Sequence, residues 1–504
     1  IIYGDKVITY REFNERVNRI ANALCKMELE AGDRVAILTP NRPELLETLF
    51  AIWKSGMVAV PMNFRLHREE VRYILNNSEA KVLFYAGMYQ DDIDSIAEEL
   101  QSIRATVCLD DQKCQRQERQ FSPFCYHELL NQGDAVERVA PVDGDDIAWL
   151  FYTSGTTGRP KGAMLTHRIL LLTTLNACTD VYPFAYDDVA LHAAPLTHGS
   201  GMYALPLIAK AATNVILDTP RFDPDAVFAL VEKHRVTVFP FLAPTMVKRL
   251  VESKALTKYN WHSLRCIIYG GAPMYVEDLV AGLKTFGKIF VQVYGQGECP
   301  MTITGLRRED HDLNRPERLA SAGTARIGVQ VGIQDADGRL LPAGQIGEVV
   351  ARSDLVMKGY WRNPEATAET IVNGWLRTGD IGYMDEQGYL YILDRTKDMI
   401  ISGGNNIYPR EVEEVMLQHP AVQEVCVFGV PDPEWGEVVK AVVVVRPGYE
   451  VTEDELIRHC RNHLASYKKP QSIDFVEELP KNAYGKVLKR ELRDQYWKGL
   501  TRKV

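Results

Sequence analysis

The chain has 504 residues, a formal net charge of -9 at pH 7, 46% hydrophobic residues and 25% charged residues. This composition is typical of folded globular proteins and excludes disordered, collagen-like and membrane-embedded classes, while the length predicts roughly three units of ~150 residues. The negative charge disfavours a protein that coats nucleic acid, because such binding depends on neutralising phosphates with Lys and Arg. We therefore expect no nucleic-acid partner.

The first predicted element is an amphipathic helix over residues 9–25. Thr9 and Glu12 have the spacing of a capping box at its start. Helical periodicity places five apolar side chains on one face, namely Phe13, Val17, Ile20, Ala21 and Leu24.

Short apolar runs then alternate with helical patterns. The predicted strands are 34–38, 57–61, 81–85, 214–217, 236–242, 264–270 and 289–295, and the intervening helices include 43–56 and 223–235. Repeated strand–helix units predict largely parallel sheets flanked by helices, with ligands at the carboxyl ends of the strands.

The pattern changes after about residue 340. Runs 345–351 and 388–394 have glycine-containing turns and predict a small β-rich layer. Helices over 409–417 and 453–464 and strands over 424–430 and 440–446 predict a last, smaller unit. The predicted fold is therefore an α/β N-terminal domain over residues 1–396, with parallel-rich sheets and the small β-rich layer. A small, mobile α+β C-terminal domain follows over 397–504.

Cysteine usage and the start of the chain bear on the compartment. Nine cysteines are irregularly spaced and include no CxxC pair, which predicts a reduced, cytoplasmic protein without structural zinc. No apolar run approaches the ~18 residues of a membrane span, and no signal peptide is visible. Because the sequence opens on Ile1 rather than Met, we expect a short segment to be missing before it.

The stretch YTSGTTGRPKG, residues 152–162, is the first candidate binding site. A predicted strand, 147–152, runs directly into it, and successive backbone N–H groups in a glycine-rich turn form an anion site. Lys161 adds a positive charge. It is not a Walker A loop, which needs Lys directly after the last Gly and then a hydroxyl that holds Mg²⁺.

This stretch resembles the phosphate-binding signature of the adenylate-forming superfamily, which includes acyl-CoA synthetases, luciferases and the adenylation domains of peptide synthetases. Further stretches match in the same order: YGGAP (269–273), YGQGE (294–298), WLRTGD (375–380), DRTKDMIISGG (394–404) and YGKVLKREL (484–492). The ordered set is most similar to bacterial fatty-acid or aryl-acid CoA ligases.

The resemblance implies an ATP-dependent acyl-CoA synthetase. Such an enzyme activates a fatty or aromatic carboxylic acid as acyl-AMP, releases pyrophosphate and transfers the acyl group to CoA. The expected partners are the acid, ATP, Mg²⁺ and CoA, all small molecules, and a homodimer is left open. Joining two anions costs roughly 4 kcal/mol per pair of unit charges at ~4 Å and an effective dielectric of ~20, so the site must supply positive charge.

The resemblance also assigns roles to individual residues. Glu298 would bind Mg²⁺, Lys486 would bridge the carboxylate and the α-phosphate during adenylation, and His198 would border the carboxylate pocket. The phosphate loop would use Thr153, Ser154, Gly155, Thr156, Thr157, Gly158 and Lys161. Adenine and ribose would be held by Gly270, Gly271, Ala272, Tyr294, Gly295, Asp380 and Arg395.

Two further features are implied for the C-terminal domain. Lys397 would be the hinge about which this domain rotates between the two half-reactions. Gly403 and Gly404 would line the passage for the pantetheine arm of CoA, where the lack of a Cβ allows close approach.

The sequence departs from the family pattern at two positions. Gly297 replaces the Thr that ordinarily contacts the α-phosphate, and Tyr484 replaces the Thr before Gly-Lys in the tail motif. Neither change removes a charged residue, so we expect an active enzyme.

Three other functions use related motifs. A luciferase-like enzyme would oxidise the acyl-adenylate, and an adenylation enzyme would load an amino or aryl acid onto a carrier protein. The latter would pair an acidic residue with an amino-acid ammonium group, and residues 194–200 contain none. A nucleotide-switched binding module is disfavoured by the missing Walker A loop and the presence of Lys486.

Overall fold

A computed structural model describes residues 1–110, 121–153, 159–219, 221–481 and 487–497. The α-helices of the larger, N-terminal domain are α1 (Tyr10–Cys25), α2 (Pro43–Lys54), α3 (Arg68–Ser78), α4 (Gln90–Ile96), α5 (Tyr126–Gln132), α6 (His167–Asp180), α7 (Gly199–Ala209), α8 (Pro224–His234), α9 (Pro244–Val251), α10 (Val276–Phe286), α11 (Pro316–Leu319) and α12 (Pro364–Thr370).

The strands of this domain are β1 (Ile2–Tyr3), β2 (Lys6–Val7), β3 (Arg34–Leu38), β4 (Val58–Met62), β5 (Val82–Tyr85), β6 (Ala105–Cys108), β7 (Ser122–Cys125), β8 (Ile147–Thr153), β9 (Lys161–Thr166), β10 (Val189–His192), β11 (Thr213–Ile216), β12 (Val238–Leu242), β13 (Cys266–Gly270), β14 (Phe290–Gln296), β15 (Cys299–Leu306), β16 (Thr324–Ala325), β17 (Gln330–Gln334), β18 (Gly347–Arg352), β19 (Ile371–Val372), β20 (Trp375–Met384) and β21 (Leu390–Arg395).

The smaller, C-terminal domain contains β22 (Ile400–Ser402), β23 (Asn405–Ile407), α13 (Pro409–Leu417), β24 (Val422–Asp432), β25 (Gly436–Val445), α14 (Glu453–His463), β26 (Ser472–Phe475) and α15 (Lys489–Asp494).

Two parallel-rich sheets form the body of the larger domain. The first has the order β7-β6-β5-β3-β4-β8-β9 and is parallel except at the β8–β9 hairpin. The second has the order β16-β15-β14-β13-β12-β10-β11-β1-β2, with parallel pairing from β1 through β14 and antiparallel strands at both edges. Helices cover the sheets, as the strand–helix alternation predicted.

A third, antiparallel sheet lies beside them and has the order β17-β18-β20-β19, with β21 paired to β20. This sheet is the predicted small β-rich layer. The sheet of the C-terminal domain has the order β23-β22-β25-β24, with β26 parallel to β25. The predicted fold class is therefore confirmed, while the boundary between residues 396 and 397 stays a prediction.

Local sequence explains why several elements begin where they do. Thr9 caps α1, and the predicted capping box with Glu12 is present. Thr452 and Glu455 form the same box at the start of α14. The face of α1 that carries Phe13, with its apolar neighbours, is buried against the first sheet and α2, as its helical period requires.

None of the helices in the described ranges is both long enough and apolar enough to cross a lipid bilayer.

The oxidation state of the cysteines differs in part from the expectation. Among the cysteines of the described ranges seven are free, namely Cys25, Cys108, Cys178, Cys266, Cys299, Cys426 and Cys460. Cys125 is disulfide-bonded, so the expectation of a fully reduced set is wrong.

A buried histidine links two strands of the second sheet, β10 and β11, to helix α7. The ring of His192, at the end of β10, is completely buried. Its Nδ1 lies 2.8 Å from Ser200 Oγ in α7, and its Nε2 lies 2.9 Å from Asn214 Oδ1 in β11. Burial lowers the pKa of His192 from 6.5 to about 4, so the folded protein holds this ring neutral.

We predict that the protein loses stability in mild acid partly through His192. Between about pH 6.5 and pH 4 the unfolded chain binds a proton that the folded chain excludes, so the free energy of unfolding falls as the pH falls, by about 3 kcal/mol over the window. Urea unfolding at about pH 7 and about pH 4.5 measures this difference. His192→Gln should reduce it, whereas His127→Gln at an exposed site should not; an unchanged pH dependence in His192→Gln would contradict the assignment.

Candidate active site

The carboxylate of Asp380 lies where the second and third sheets meet. It accepts hydrogen bonds on Oδ2 from Tyr294 Oη (2.6 Å) and Gln296 Nε2 (2.9 Å). Arg395 Nε lies 3.0 Å from Oδ1, and these two residues are paired across β20 and β21. Asp380 is 4% exposed. Both oxygens are thus held in place, and one guanidinium balances the negative charge.

Tyr294 acts as a hydrogen-bond donor in this cluster. Burial, and then the negative charge of Asp380, raises the pKa of the Tyr294 hydroxyl well above its ordinary value. Because the phenol therefore stays protonated, its ring is fixed against the carboxylate. This position beside Asp380 suits the predicted adenosine site.

A second carboxylate, that of Glu298, lies just beyond the end of β14. Its Oε1 accepts hydrogen bonds from Tyr360 Oη (2.7 Å) and Thr153 Oγ1 (3.3 Å). Lys161 Nζ lies 5.1 Å from the centre of the Tyr360 ring. Thr153 and Lys161 are opposite each other in the β8–β9 hairpin, on either side of the glycine-rich turn. The structure therefore brings the two flanks of the predicted phosphate loop next to Glu298.

The donor set at Glu298 fits Mg²⁺. Nothing in the described ranges donates a hydrogen bond to the second oxygen, Oε2, although the residue is only 8% exposed. Within those same ranges no group of three or more His, Cys, Asp or Glu side chains could hold a metal by itself. Mg²⁺ is commonly bound by one or two carboxylates together with substrate phosphates, and a lone, oriented carboxylate suits that arrangement.

Glycines lie where the backbone must come close to another group. A Cβ on Gly270 would lie 2.3 Å from the carbonyl oxygen of Val293, in the adjacent strand. Gly271 has φ of +81°, a left-handed conformation that favours glycine. Together with Ala272, these residues carry no side chain larger than a methyl group, so the end of β13 is flat; their binding of adenine stays a prediction. At Gly295 a Cβ would lie 2.4 Å from Met301 N, so only glycine fits there.

His198 directly precedes α7 in an apolar environment. Its ring contacts Phe151 edge-to-face, with centroids 5.1 Å apart, and its Nδ1 lies 3.2 Å from Thr197 Oγ1. Burial lowers the pKa of His198 to about 3. The imidazole is therefore neutral, and such a ring is a weak proton acceptor at neutral pH.

Steric packing explains why Gly, rather than the Thr of the family pattern, occupies position 297. A Cβ at this position would lie 2.3 Å from Thr153 Cγ2 and 2.9 Å from Phe151 Cδ1. The branched side chain of Thr would therefore collide with the hairpin as it is placed here.

The residues predicted to act as hinge and CoA passage lie at the start of the small domain. Lys397 belongs to a short 3-10 turn, Thr396–Asp398, between β21 and β22, where the chain leaves the third sheet. Gly403 and Gly404 are exposed and have φ of +54° and +79°. Gly403 N donates to the carbonyl of Trp435, at 2.9 Å, within the same domain.

Some predicted residues lie outside the described ranges. They are Ser154, Gly155, Thr156, Thr157, Gly158 and Lys486, and also Tyr484. Their roles stay predictions from the resemblance.

Sequence reasoning missed three residues of the site. The family resemblance gives Gln296 no role, although its position two residues after Tyr294 in a strand places both side chains on the same face. Tyr360 had no signal, because its partners Glu298 and Lys161 are far from it in sequence. Phe241 had no signal either, because the sequence around it predicts only a strand. Its ring packs at the backbone of Gly199 and Gly271.

Comparison with protein families matches most of the chain. Residues 1–361 match the AMP-binding enzyme family, and residues 411–486 match the AMP-binding enzyme C-terminal domain.

Two relatives align over nearly full length. The feruloyl-CoA synthase of an Amycolatopsis species is 40% identical over 497 residues, which cover 98% of this chain and 95% of that protein. The long-chain-fatty-acid–CoA ligase FadD13 of Mycobacterium tuberculosis is 36% identical over 495 residues, covering 98% and 94%.

Solved structures of MatB from Rhodopseudomonas palustris are similar in fold. Both its ATP-bound and its apo form are 33% identical to this chain, with 98% and 95% of the two chains covered, and the TM-scores are 0.88 and 0.78. The matched families, the CoA-ligase relatives and the converging carboxylates lead to one conclusion: the chain belongs to the AMP-binding enzyme family and is an AMP-forming acyl-CoA ligase.

Proposed function

We propose that this enzyme activates an aromatic carboxylic acid with ATP and transfers the acyl group to CoA. The proposal rests on one observation. Two fixed carboxylates, those of Asp380 and Glu298, lie in the same region as the flanks of the glycine-rich turn and the aromatic side chains around His198. The first carboxylate offers acceptors for ribose hydroxyls. The second offers an oxygen for Mg²⁺ beside the predicted phosphate loop.

The first half-reaction joins two anions. An oxygen of the acid attacks the α-phosphorus of ATP, the bond to the β-phosphate oxygen breaks, and pyrophosphate leaves with its electron pair. Mg²⁺, when bound, neutralises phosphate charge. Lys161 adds a cation next to Tyr360, and the backbone of the turn supplies oriented dipoles, so the site offsets the repulsion where the charges meet.

In the second half-reaction the thiolate of CoA attacks the acyl carbonyl carbon. The carbon–oxygen bond to AMP breaks, AMP leaves with the electron pair, and a thioester remains. The thiol proton is released to solvent. Gly403 and Gly404, with no Cβ to obstruct a narrow ligand, are the residues we assign to the CoA passage, and Lys397 is the residue about which the small domain turns.

The observed arrangement of the domains supports its assignment to the first half-reaction. The turn with Gly403 and Gly404 is exposed to solvent, rather than inserted between the domains. The chain is also more similar in overall shape to ATP-bound than to apo MatB, at equal identity and coverage. Lys486, which the tail motif assigns to acyl-AMP formation, belongs functionally to this arrangement.

Aromatic side chains support an aromatic substrate. Phe151 contacts His198. Phe241 packs between the start of α7 and Gly271, where a Cβ at Gly199 would lie 2.9 Å from its ring. Tyr203 is stacked with Phe241, with centroids 6.5 Å apart. Flat rings favour planar acyl groups through stacked and edge-to-face contacts, and the feruloyl-CoA synthase is 40% identical.

We predict that the enzyme converts a hydroxycinnamic or benzoic acid, ATP and CoA into the acyl-CoA, AMP and pyrophosphate. The measurement is product analysis over a panel of aromatic acids, fatty acids and amino acids. The best aromatic acid should exceed the best fatty acid at least tenfold in kcat/KM, an effect of about 1.4 kcal/mol. Formation of ADP and phosphate, or turnover that consumes oxygen without CoA, would refute the proposal.

Phe241→Ala should change the substrate preference. Removing the ring opens space beside Gly199 and Gly271, so kcat/KM for fatty acids relative to the aromatic acid should rise roughly tenfold or more. The matched control is Phe290→Leu, which alters a buried aromatic residue at the start of β14, two strands away in the second sheet. The control should lower stability without changing the preference; an unchanged preference in Phe241→Ala would show that this ring is no wall of the acid pocket.

Glu298→Gln should weaken the use of Mg²⁺. The amide can still accept the hydrogen bond from Tyr360 but carries no charge, so acyl-AMP formation should fall by roughly 10²–10³-fold. The Mg²⁺ concentration for half-maximal rate should rise at least tenfold, an effect of about 1.4 kcal/mol. Tyr360→Phe, the companion variant, keeps the ring beside Lys161 and should cost much less. Equal Mg²⁺ dependence in Glu298→Gln and the unmodified enzyme would exclude the metal role.

A further inference from the structure

The two domains meet through several polar contacts, and one group of these contacts lies between α13 and the start of α10. Tyr275 Oη, in the larger domain, donates to Glu413 Oε2 at 2.9 Å. Beside it, the backbone N–H of Val276 donates to Glu414 Oε2 at 3.4 Å, and Arg410 Nη2 donates to the carbonyl of Met274 at 3.3 Å. Three side chains of α13 thus bind one short segment, residues 274–276, at the start of α10.

Glu413 is held firmly within its own domain. Its Oε1 accepts a hydrogen bond from the backbone N–H of Val427 at 2.8 Å and lies 3.3 Å from Lys489 Nζ. Lys489 Nζ also lies 3.7 Å from Asp394 Oδ2, in β21. Although burial opposes the charge, the carboxylates of Asp394 and Glu413 raise the pKa of Lys489. The small domain therefore presents Glu413 as a prearranged acceptor that does not need Tyr275 to position it.

The segment that binds α13 is continuous with the nucleotide site. Tyr275 follows Ala272 by three residues, and Ala272 ends the flat surface formed with Gly270 and Gly271. Burial, and then Glu413, raises the pKa of the Tyr275 hydroxyl well above its ordinary value, so it remains a donor. A nucleotide bound at the end of β13 would therefore lie only a few residues from the segment to which α13 binds.

We propose that the Tyr275–Glu413 hydrogen bond is a domain latch, which stabilises the arrangement used to form acyl-AMP and is released before transfer to CoA. Tyr275 and Glu413 are then positioning residues: they hold the small domain in place and need not touch the substrates. This inference rests on the two half-reactions of the proposed function. Rotation of the small domain carries α13 away from residues 274–276, so the hydrogen bond exists in only one of the two arrangements.

Tyr275→Phe tests the latch because it removes one hydroxyl and keeps the ring. Acyl-AMP formation should slow roughly tenfold, as expected when a hydrogen bond to a charged group is lost. Transfer from supplied acyl-AMP to CoA should be unchanged or faster. Hydrogen exchange should become faster in residues 409–417, and the protection that ATP gives this helix in the unmodified enzyme should decrease.

The matched control is Tyr389→Phe. Tyr389 Oη also donates to a carboxylate at 2.9 Å, that of Asp310, but this bond lies entirely within the larger domain. The control should leave the ratio of the two half-reactions and the exchange of α13 unchanged.

Equal slowing of both half-reactions by Tyr275→Phe, or unchanged exchange in α13, would overturn the latch. The exchange measurement needs no catalysis and therefore separates the two proposals. If the unmodified enzyme formed no acyl-AMP from any acid, the proposed function would fail, while exchange in α13 would still decide whether Tyr275 holds the domains together.

Discussion

The carboxylate of Asp380 receives hydrogen bonds from Tyr294 and Gln296, which lie in a strand of a different sheet. This junction sets the position of the third sheet relative to the end of β14. Glu298 follows the same strand by two residues and is bonded to Thr153, at the end of the first sheet. One strand end, β14, therefore fixes both carboxylates relative to the glycine-rich turn.

The chemistry explains why the cleft needs strands from three sheets. In the proposed reaction two negatively charged groups must meet, and no single loop can surround them with a metal ligand, a cation and fixed acceptors. Parallel sheets direct their strand ends to one edge, where ligands bind. The antiparallel third sheet adds Asp380 and Arg395 from a different direction, so the groups converge without a long, flexible loop.

The neutral imidazole of His198 helps to define the other end of the cleft. With its pKa lowered to about 3, the ring presents an apolar, aromatic surface together with Phe151. Phe241 closes this region from the side of Gly271. In the proposed function, this hydrophobic wall would separate recognition of the acyl group from stabilisation of the phosphates and would keep water away from the reactive carbonyl.

The sequence by itself determined the fold class and the family, because hydrophobic periodicity and ordered motifs are local properties of the chain. It also located the capping box at Thr9 and the strand that carries Tyr294. Only the tertiary structure decided that Tyr360 binds Glu298, that Phe241 packs against Gly271 and that Tyr275 contacts Glu413. Each of these pairs joins segments that are distant in sequence, and such contacts depend on sheet order and domain placement, which no local pattern encodes.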